Sequence, residues 1–127
     1  MTDNQEHDKQ PGGTSHKSRL EDIAVESIHN GSVQRKALIR SGEAGEVATM
    51  NYAWLGAGQV LEEHVHPDCS EYYLFLDGLG TMKVADETMA VGKDDWVAVN
   101  PTEPHSLQAD PNSQLTFLTM RAFEKSL

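Results

Sequence analysis

The sequence predicts an all-β domain, a barrel or a sandwich, made of eight or nine short strands. From Val33 onward, short segments of alternating apolar and polar residues follow one another. Turn-forming residues such as Asp77-Gly78 separate these segments, and no second helical block interrupts them. The predicted strands are residues 37–39, 46–55, 59–66, 71–76, 81–84, 88–91, 96–99, 105–108 and 114–122. With 127 residues and no internal repeat, the chain predicts one barrel with a single core.

The N-terminal end differs in composition from the remainder of the chain. Residues 1–17 contain no Leu, Ile, Val or aromatic residue, so they cannot bury enough apolar surface to offset the entropy lost on ordering. We therefore expect a disordered tail over 1–17 and a barrel domain over 18–127. Ser18 and Glu21 match a helix capping box, which predicts a short helix over residues 19–27, with an extended segment as the alternative.

Charge and cysteine content exclude several functional classes. Twenty acidic and ten basic residues give a net charge of -10, which disfavours binding to nucleic acids or to anionic membranes. Cys69 is the only cysteine, so an intramolecular disulfide is impossible. No apolar run approaches the roughly 18 residues that span a bilayer, and the N-terminus does not resemble a signal peptide. These features predict a cytoplasmic protein.

The residues most informative about chemistry lie between positions 58 and 78. His64 and His66 are two residues apart, and on a strand such residues point to the same face. After a turn, Glu71 begins the next strand, which can return its carboxylate to the same region. Two imidazoles and a carboxylate suit a first-row divalent ion. His105, which follows a proline-rich turn, is the best candidate for a fourth ligand.

This pattern resembles the first sequence motif of the cupin superfamily. The motif's fixed positions are filled by Gly58, His64, His66, Glu71 and Gly78. The second motif is matched less closely: its histidine is present as His105, but other positions differ. The departures are Asp94 and Thr102 where glycines are expected, Asn100 where a proline is expected and Ala109 where an asparagine is expected.

The resemblance implies a single-domain double-stranded β-helix, that is, a jelly-roll barrel. It implies one divalent transition metal per chain, Fe, Mn, Ni, Co, Cu or Zn. By the same resemblance, the metal ligands are His64, His66, Glu71 and His105. Cupins also form homodimers by exchanging or pairing N-terminal strands, and residues 33–40 are the candidate segment for this.

Other residues are candidates for the pocket around the metal. Tyr73 and Phe75 share the parity of Glu71, so Tyr73 is either a catalytic residue that acts as a base or orients a ligand, or a packed core residue. Glu62 shares the parity of His64 and is a second candidate for proton transfer. Tyr52 and Trp54 are expected to line the substrate pocket, the barrel interior or the dimer contact.

Two further residues leave alternatives open. Cys69 is expected in the turn between ligands, as a reactive thiol, a spare soft ligand or a bystander. His29 is expected to be exposed in a turn that matches no motif.

The predicted function is that of a metal-dependent enzyme acting on a small polar molecule. Oxygen-dependent oxidation is the first choice of reaction, and a lyase or isomerase reaction is the next. The alternatives are a non-catalytic module that binds or senses a small ligand or the metal, and a metal-free structural barrel, because the fold alone does not select a reaction.

Overall fold

The computed structural model describes residues 17–41 and 48–123, and within them ten strands form two antiparallel sheets. The strands are β1 (Glu26–Ile28), β2 (Val33–Ile39), β3 (Ala48–Leu55), β4 (Val60–His64), β5 (Cys69–Asp77), β6 (Leu79–Val84), β7 (Glu87–Gly92), β8 (Trp96–Val99), β9 (His105–Ala109) and β10 (Leu115–Phe123). In the described part of the chain, no helix is both long and apolar enough to cross a membrane.

The two sheets enclose the core of a jelly-roll barrel, so the predicted fold class is confirmed. One sheet has the strand order β1-β2-β3-β10-β5-β8 and the other has the order β4-β9-β6-β7. Because strands that are distant in sequence lie side by side, residues from both sheets can meet inside the barrel. The largest fully buried side chains are those of Leu55, Tyr73, Phe75, Met82, Leu107, Leu115 and Phe117.

All nine predicted strands are present, with ends that differ by a few residues, but the helix predicted over 19–27 is wrong. That segment has one short 3-10 turn, Leu20–Asp22, followed by the unpredicted strand β1. No side chain caps the turn, and β1 pairs with β2 through Ile28 and Val33. β-branched residues favour this pairing over a short isolated helix. The predicted tail lies outside the described residues apart from Lys17, as do positions 46 and 47 of the strand predicted over 46–55.

An irregularity in β4 determines which of its side chains face the interior. Leu61 pairs with Leu107 and His64 pairs with His105, and the register shifts between these two pairs. A bulge of this kind places an extra residue on one strand and reverses the inward–outward alternation. Leu61 and His64 therefore line the same cavity although they are three residues apart, while Glu62 is exposed.

The turns that flank the site use left-handed backbone conformations. Asp94 (φ 74°) and Thr102 (φ 72°) both have positive φ at positions where the cupin motif has glycine. Asp94 and Thr102 thus adopt the backbone conformation that glycine favours. The resulting strain is greatest at Thr102, because its side chain is β-branched. The amide of Thr102 donates a hydrogen bond to the carbonyl oxygen of His66 (2.9 Å), which ties this turn to the end of β4.

Gly78, the last fixed position of the first motif, permits the tight connection between β5 and β6. Its φ is 89°, and a Cβ added there would lie 1.8 Å from the carbonyl oxygen of Gln114. No side chain fits at that distance. The close approach of the chain before β10 therefore requires glycine at this position.

Candidate metal centre

Four potential metal ligands converge at one end of the barrel. His64 ends β4, His66 follows it, Glu71 lies on β5 and His105 begins β9. Each residue offers one ligand atom, and these atoms all lie within 4.8 Å of one another. The centres of the His64 and His105 rings are 4.2 Å apart, because these two residues face each other across the β4–β9 pair. The predicted convergence of the four residues is confirmed.

Backbone carbonyl groups orient two of the three imidazoles. Nδ1 of His64 lies 2.8 Å from the carbonyl oxygen of Glu62, and Nδ1 of His105 lies 3.0 Å from that of Glu103. Each Nδ1 therefore carries the proton and donates, which leaves Nε2 directed toward the other ligands. Hydrogen bonds of this type fix the tautomer and ring orientation of metal-binding histidines.

The carboxylate of Glu71 is buried among positively polarised groups. Its Oε1 lies 3.0 Å from Nε2 of His105, 3.3 Å from Nε2 of His66 and 3.1 Å from the hydroxyl of Tyr73, which donates to it. Burial alone would raise the pKa of Glu71, but the hydrogen bonds from His105 and His66 outweigh burial and hold the pKa well below its usual range. Glu71 is therefore an anion at neutral pH, the form in which a carboxylate binds a cation.

The imidazoles respond differently to their surroundings. Burial lowers the pKa of His64, which favours the neutral form that binds metals. At His105 burial acts in the same direction and is the largest single cause, but the hydrogen bond to Glu71, the contact with the Glu103 backbone and the negative charges of both residues together outweigh it and raise the pKa. A dication that binds at Nε2 of His105 would compete with a proton for this nitrogen.

The four residues fit a divalent transition ion. Three imidazoles and one carboxylate are donors that such ions accept, and a buried anion surrounded by imidazoles matches the charge of a dication. Among the described residues, this group is the one set of His, Cys, Asp and Glu side chains close enough to hold a metal. The donor set accepts several ions of the first transition row, so it does not select one.

A cavity of about 240 Å³ opens beside the ligands. His64, His66 and Glu71 lie on its wall, whereas His105 is only 1% exposed and lies behind them. The remaining lining residues are Ile28, His29, Val33, Arg35, Asn51, Ala53, Leu61, Tyr73, Phe117, Thr119 and Arg121. A ligand in this cavity would be next to the metal and inside the barrel.

Tyr73 lies in this cavity, where its parity predicts it. Burial and the charge of Glu71 raise the pKa of its phenol well above the usual value, so Tyr73 stays protonated and acts as a hydrogen-bond donor. Phe75, which was expected in the pocket, is fully buried below it and packs against Tyr73 and Phe117 with ring centres 6.0 and 5.8 Å away. Phe75 supports the floor of the site and is absent from the residues that line the cavity.

The structure corrects the placement of Tyr52 and Trp54. Asn51 and Ala53 line the cavity, so the alternation along β3 puts Tyr52 and Trp54 on the opposite, outer face of the sheet. There the two rings pack edge to face, with centres 6.0 Å apart. The pocket and barrel-interior alternatives are wrong, because β3 has apolar side chains on both faces and the larger ones belong to the outer face, whereas the dimer contact stays a prediction.

Glu62 and Cys69 also differ from their expected positions. The bulge in β4 turns the Glu62 side chain outward and makes its backbone carbonyl, not its carboxylate, the group that contacts His64. Glu62 is thus removed from the proton-transfer candidates. Cys69 lies at the start of β5 and not in the turn, and it is buried. Burial raises the pKa of its thiol, which disfavours the reactive thiolate form.

Sequence patterns missed several residues of the cavity. His29 is exposed as expected, but its ring centre lies 5.4 Å from that of His64, because the β1–β2 hairpin brings it to the mouth of the cavity. Arg35 and Arg121 line the cavity from β2 and β10. The inward parity of Arg121 with Thr119 and Phe117 on β10 was a usable signal, whereas the position of His29 depends on a hairpin that sequence reasoning did not predict.

Comparison with known proteins agrees with this architecture. A chain from Thermotoga maritima described as a predicted oxalate decarboxylase has a TM-score of 0.80 and 23% identity, over 86% of this chain and 100% of that one. The polyketide cyclase RemF from Streptomyces resistomycificus has a TM-score of 0.76 and 16% identity, over 90% and 83%. An RmlC-like cupin from Shewanella frigidimarina has a TM-score of 0.74 and 18% identity, over 89% and 95%.

At these identities the structural likeness shows the fold alone. A search of curated proteins found no match. The family model that describes a cupin domain matches residues 53–121, which is more than half of the chain and includes all four converging ligands. The chain therefore belongs to the cupin family.

Proposed function

We propose that this protein is a metal-dependent enzyme that acts on a small polar molecule, with one divalent transition ion bound by His64, His66, Glu71 and His105. The observation that carries the proposal is the convergence of four ligand atoms within 4.8 Å of one another, with three of the four residues on the wall of a cavity. A purely structural barrel has no need of three imidazoles and a buried carboxylate next to an open cavity. A bound ion there would supply Lewis-acid or redox chemistry.

Side chains of the cavity would donate a proton, orient the ligand and exclude water during the reaction. The hydroxyl oxygen of Tyr73 lies 3.1 Å from Oε1 of Glu71, and its proton can be donated to a ligand that displaces this hydrogen bond. Asn51 and Thr119, on neighbouring strands, offer neutral hydrogen-bonding groups that orient a ligand. Leu61 and Phe117 limit the water that accompanies it.

Oxygen-dependent oxidation is the first reaction class to test, and a lyase or isomerase reaction is the second. Two similar structures, described as a predicted oxalate decarboxylase and a polyketide cyclase, support chemistry on small organic molecules and give weight to the second class. The cytoplasmic location stays a prediction.

The metal content of the protein tests the proposal directly. Protein purified without a histidine tag or added metal is expected to contain about one equivalent of a first-row transition ion per chain, measured by elemental mass spectrometry. Iron or copper would direct the search to oxygen-consumption assays, and zinc or nickel would direct it to lyase and isomerase assays. Protein that contains no metal, and takes up none on titration with these ions, would contradict the proposal.

A second candidate is a non-catalytic module that binds or senses a small ligand or the metal. The observation in its favour is that, among the described residues that line the cavity, Tyr73 is the one buried titratable side chain that is not itself a proposed metal ligand. Such a module would bind its ligand in a 1:1 ratio without turnover, which separates it from an enzyme in the same assays.

We also propose that the protein is a homodimer, as the family resemblance implies. Support comes from the outer face of the six-stranded sheet, which has partly exposed apolar side chains on adjacent strands. Tyr52 and Leu118 are register neighbours there, and Tyr72 stacks on Trp96 with ring centres 5.6 Å apart. Sedimentation equilibrium is expected to give twice the chain mass of 14.0 kDa, and Leu118→Glu is expected to give the monomer mass. A wild-type monomer would contradict the proposal.

A further inference from the structure

The cavity combines basic side chains with the metal centre in a protein whose overall charge is strongly negative. Arg35 from β2 and Arg121 from β10 both line it, together with His29. Burial is the main cause that lowers the pKa of His29; the charge of Glu71 opposes it, and the charges of His66, Arg35 and Arg121 add to it. Two arginines thus line one cavity beside the metal ligands, although the whole chain has a net charge of -10.

The carboxylates nearby leave part of the hydrogen-bonding capacity of these two guanidinium groups for a ligand. Nε of Arg35 donates to Oε1 of Glu26 at 3.1 Å, and a guanidinium group has further N–H donors beyond this one. Arg121 has no carboxylate within salt-bridge distance among residues 17–41 and 48–123, and its guanidinium carbon lies 5.9 Å from the centre of the Phe123 ring. Oε1 of Glu71 is already occupied by His66, His105 and Tyr73.

We propose that Arg35 and Arg121 form an anion-binding subsite beside the metal centre, and that the ligand of this cavity is a small organic carboxylate. A guanidinium offers several N–H donors in a fixed plane, and it matches the two oxygens of a carboxylate better than an ammonium does. With a carboxylate at the arginines, the rest of the molecule lies toward His64 and His66. The assignment of this ligand as substrate rests on the proposed function, whereas the anion subsite itself does not.

The dimensions and lining of the cavity limit the size of the carboxylate. A volume of about 240 Å³ corresponds to roughly eight water molecules in the liquid, which is below the range of pockets for drug-sized ligands. Ile28, Val33 and Phe117 give part of the wall an apolar surface. A carboxylate with a chain of a few carbon atoms fits these limits, and a nucleotide or an oligosaccharide does not.

Binding of matched charged and neutral probes tests the subsite without any measurement of turnover. Propanoate and malonate are compared with propanamide and malonamide by isothermal titration calorimetry and by amide chemical shifts, on zinc-loaded and on chelator-treated protein. The variants are Arg35→Gln and Arg121→Gln. Arg19→Gln is the control with the same total charge, because Arg19 is exposed and pairs only with its neighbour Glu21 among the described residues.

We expect wild-type protein to bind at least one of the two carboxylates and neither amide. Affinity for the carboxylate should fall about tenfold or more in Arg35→Gln and in Arg121→Gln, be partly restored in Arg121→Lys, and stay unchanged in Arg19→Gln. Thermal unfolding of each variant shows whether it is folded. Equal binding of carboxylate and amide, no binding of either carboxylate at 50 mM, or unchanged affinity in both glutamine variants would overturn the subsite, as would binding of inorganic phosphate alone.

The metal content of the same samples separates this proposal from the proposed function. If the protein binds metal but does not bind carboxylates, the metal centre is supported and the proposal of an anion subsite is overturned. Metal-free protein that binds carboxylates through Arg35 and Arg121 but takes up no zinc supports the anion subsite and contradicts the metal-dependent function.

Discussion

Replacement of Glu71 by glutamine is expected to weaken the binding of a divalent metal more than about 100-fold, while the same replacement at Glu62 leaves it unchanged. Substitution of groups that merely orient a ligand costs about 10- to 100-fold in affinity, and Glu71 is itself a ligand and the one anion of the set. Glu62 lies on β4, two residues before His64, but its side chain is exposed and its contribution to the site is a backbone carbonyl.

The two variants form a matched pair, because each removes one negative charge and exchanges a carboxylate for an amide of the same shape. Affinity is measured by competition with a chromophoric chelator, with zinc as the probe, and circular dichroism checks that both variants are folded. Equal losses in the two variants would mean that overall charge, and not the geometry of the site, governs binding. Unchanged affinity in Glu71→Gln would remove Glu71 from the ligand set.

Leu115→Ala is expected to lower the free energy of unfolding by about 2–5 kcal/mol, whereas Leu79→Ala changes it by less than about 0.5 kcal/mol. Leu115 is fully buried, pairs with Leu55 across β3 and β10, and packs its Cδ2 against the backbone at Gly80. Its truncation leaves a cavity in the core. Leu79 is 59% exposed, so water already reaches most of the side chain.

Urea unfolding of chelator-treated protein measures both changes without a contribution from bound metal. The dependence of the free energy on urea concentration should be the same in both variants, so that midpoints can be compared. A loss at Leu79 as large as that at Leu115 would show that Leu79 is covered in solution, for example by a partner. A small loss at Leu115 would show that the core closes around the missing side chain.

Three of the four ligands could be predicted from the sequence because they depend on local spacing, whereas His105 was assigned through the second motif. One residue separates His64 from His66, and Glu71 follows near the start of the next strand. Gly78 is required because the backbone at Gln114 comes so close that no side chain fits at this position. The second motif was harder to match, since Asp94 and Thr102 replace glycines. The structure keeps positive φ at both residues, so the turn conformation is retained although the residue type is not.

Residues whose orientation depends on non-local geometry could not be predicted in the same way. The parity rule failed at Glu62, because one bulge reverses the alternation of β4. On β3 the alternation is kept, but the choice of the inner face failed for Tyr52 and Trp54, because both faces have apolar residues and hydrophobicity alone does not say which face is inside. His29 reaches the cavity through a hairpin of a strand, β1, that is only three residues long and has no clear sequence signal.

The metal ligands come from both sheets of the barrel, and this affects how long the folded state persists. His64 and His105 face each other on the four-stranded sheet, while Glu71 belongs to the six-stranded sheet. One ion bound by all three residues would therefore link the two sheets of the barrel. A chain with a single cysteine has no internal disulfide to do this. Any route of unfolding that separates the sheets would first have to break bonds to the ion, so resistance to proteolysis and heat inactivation would follow the metal supply of the host.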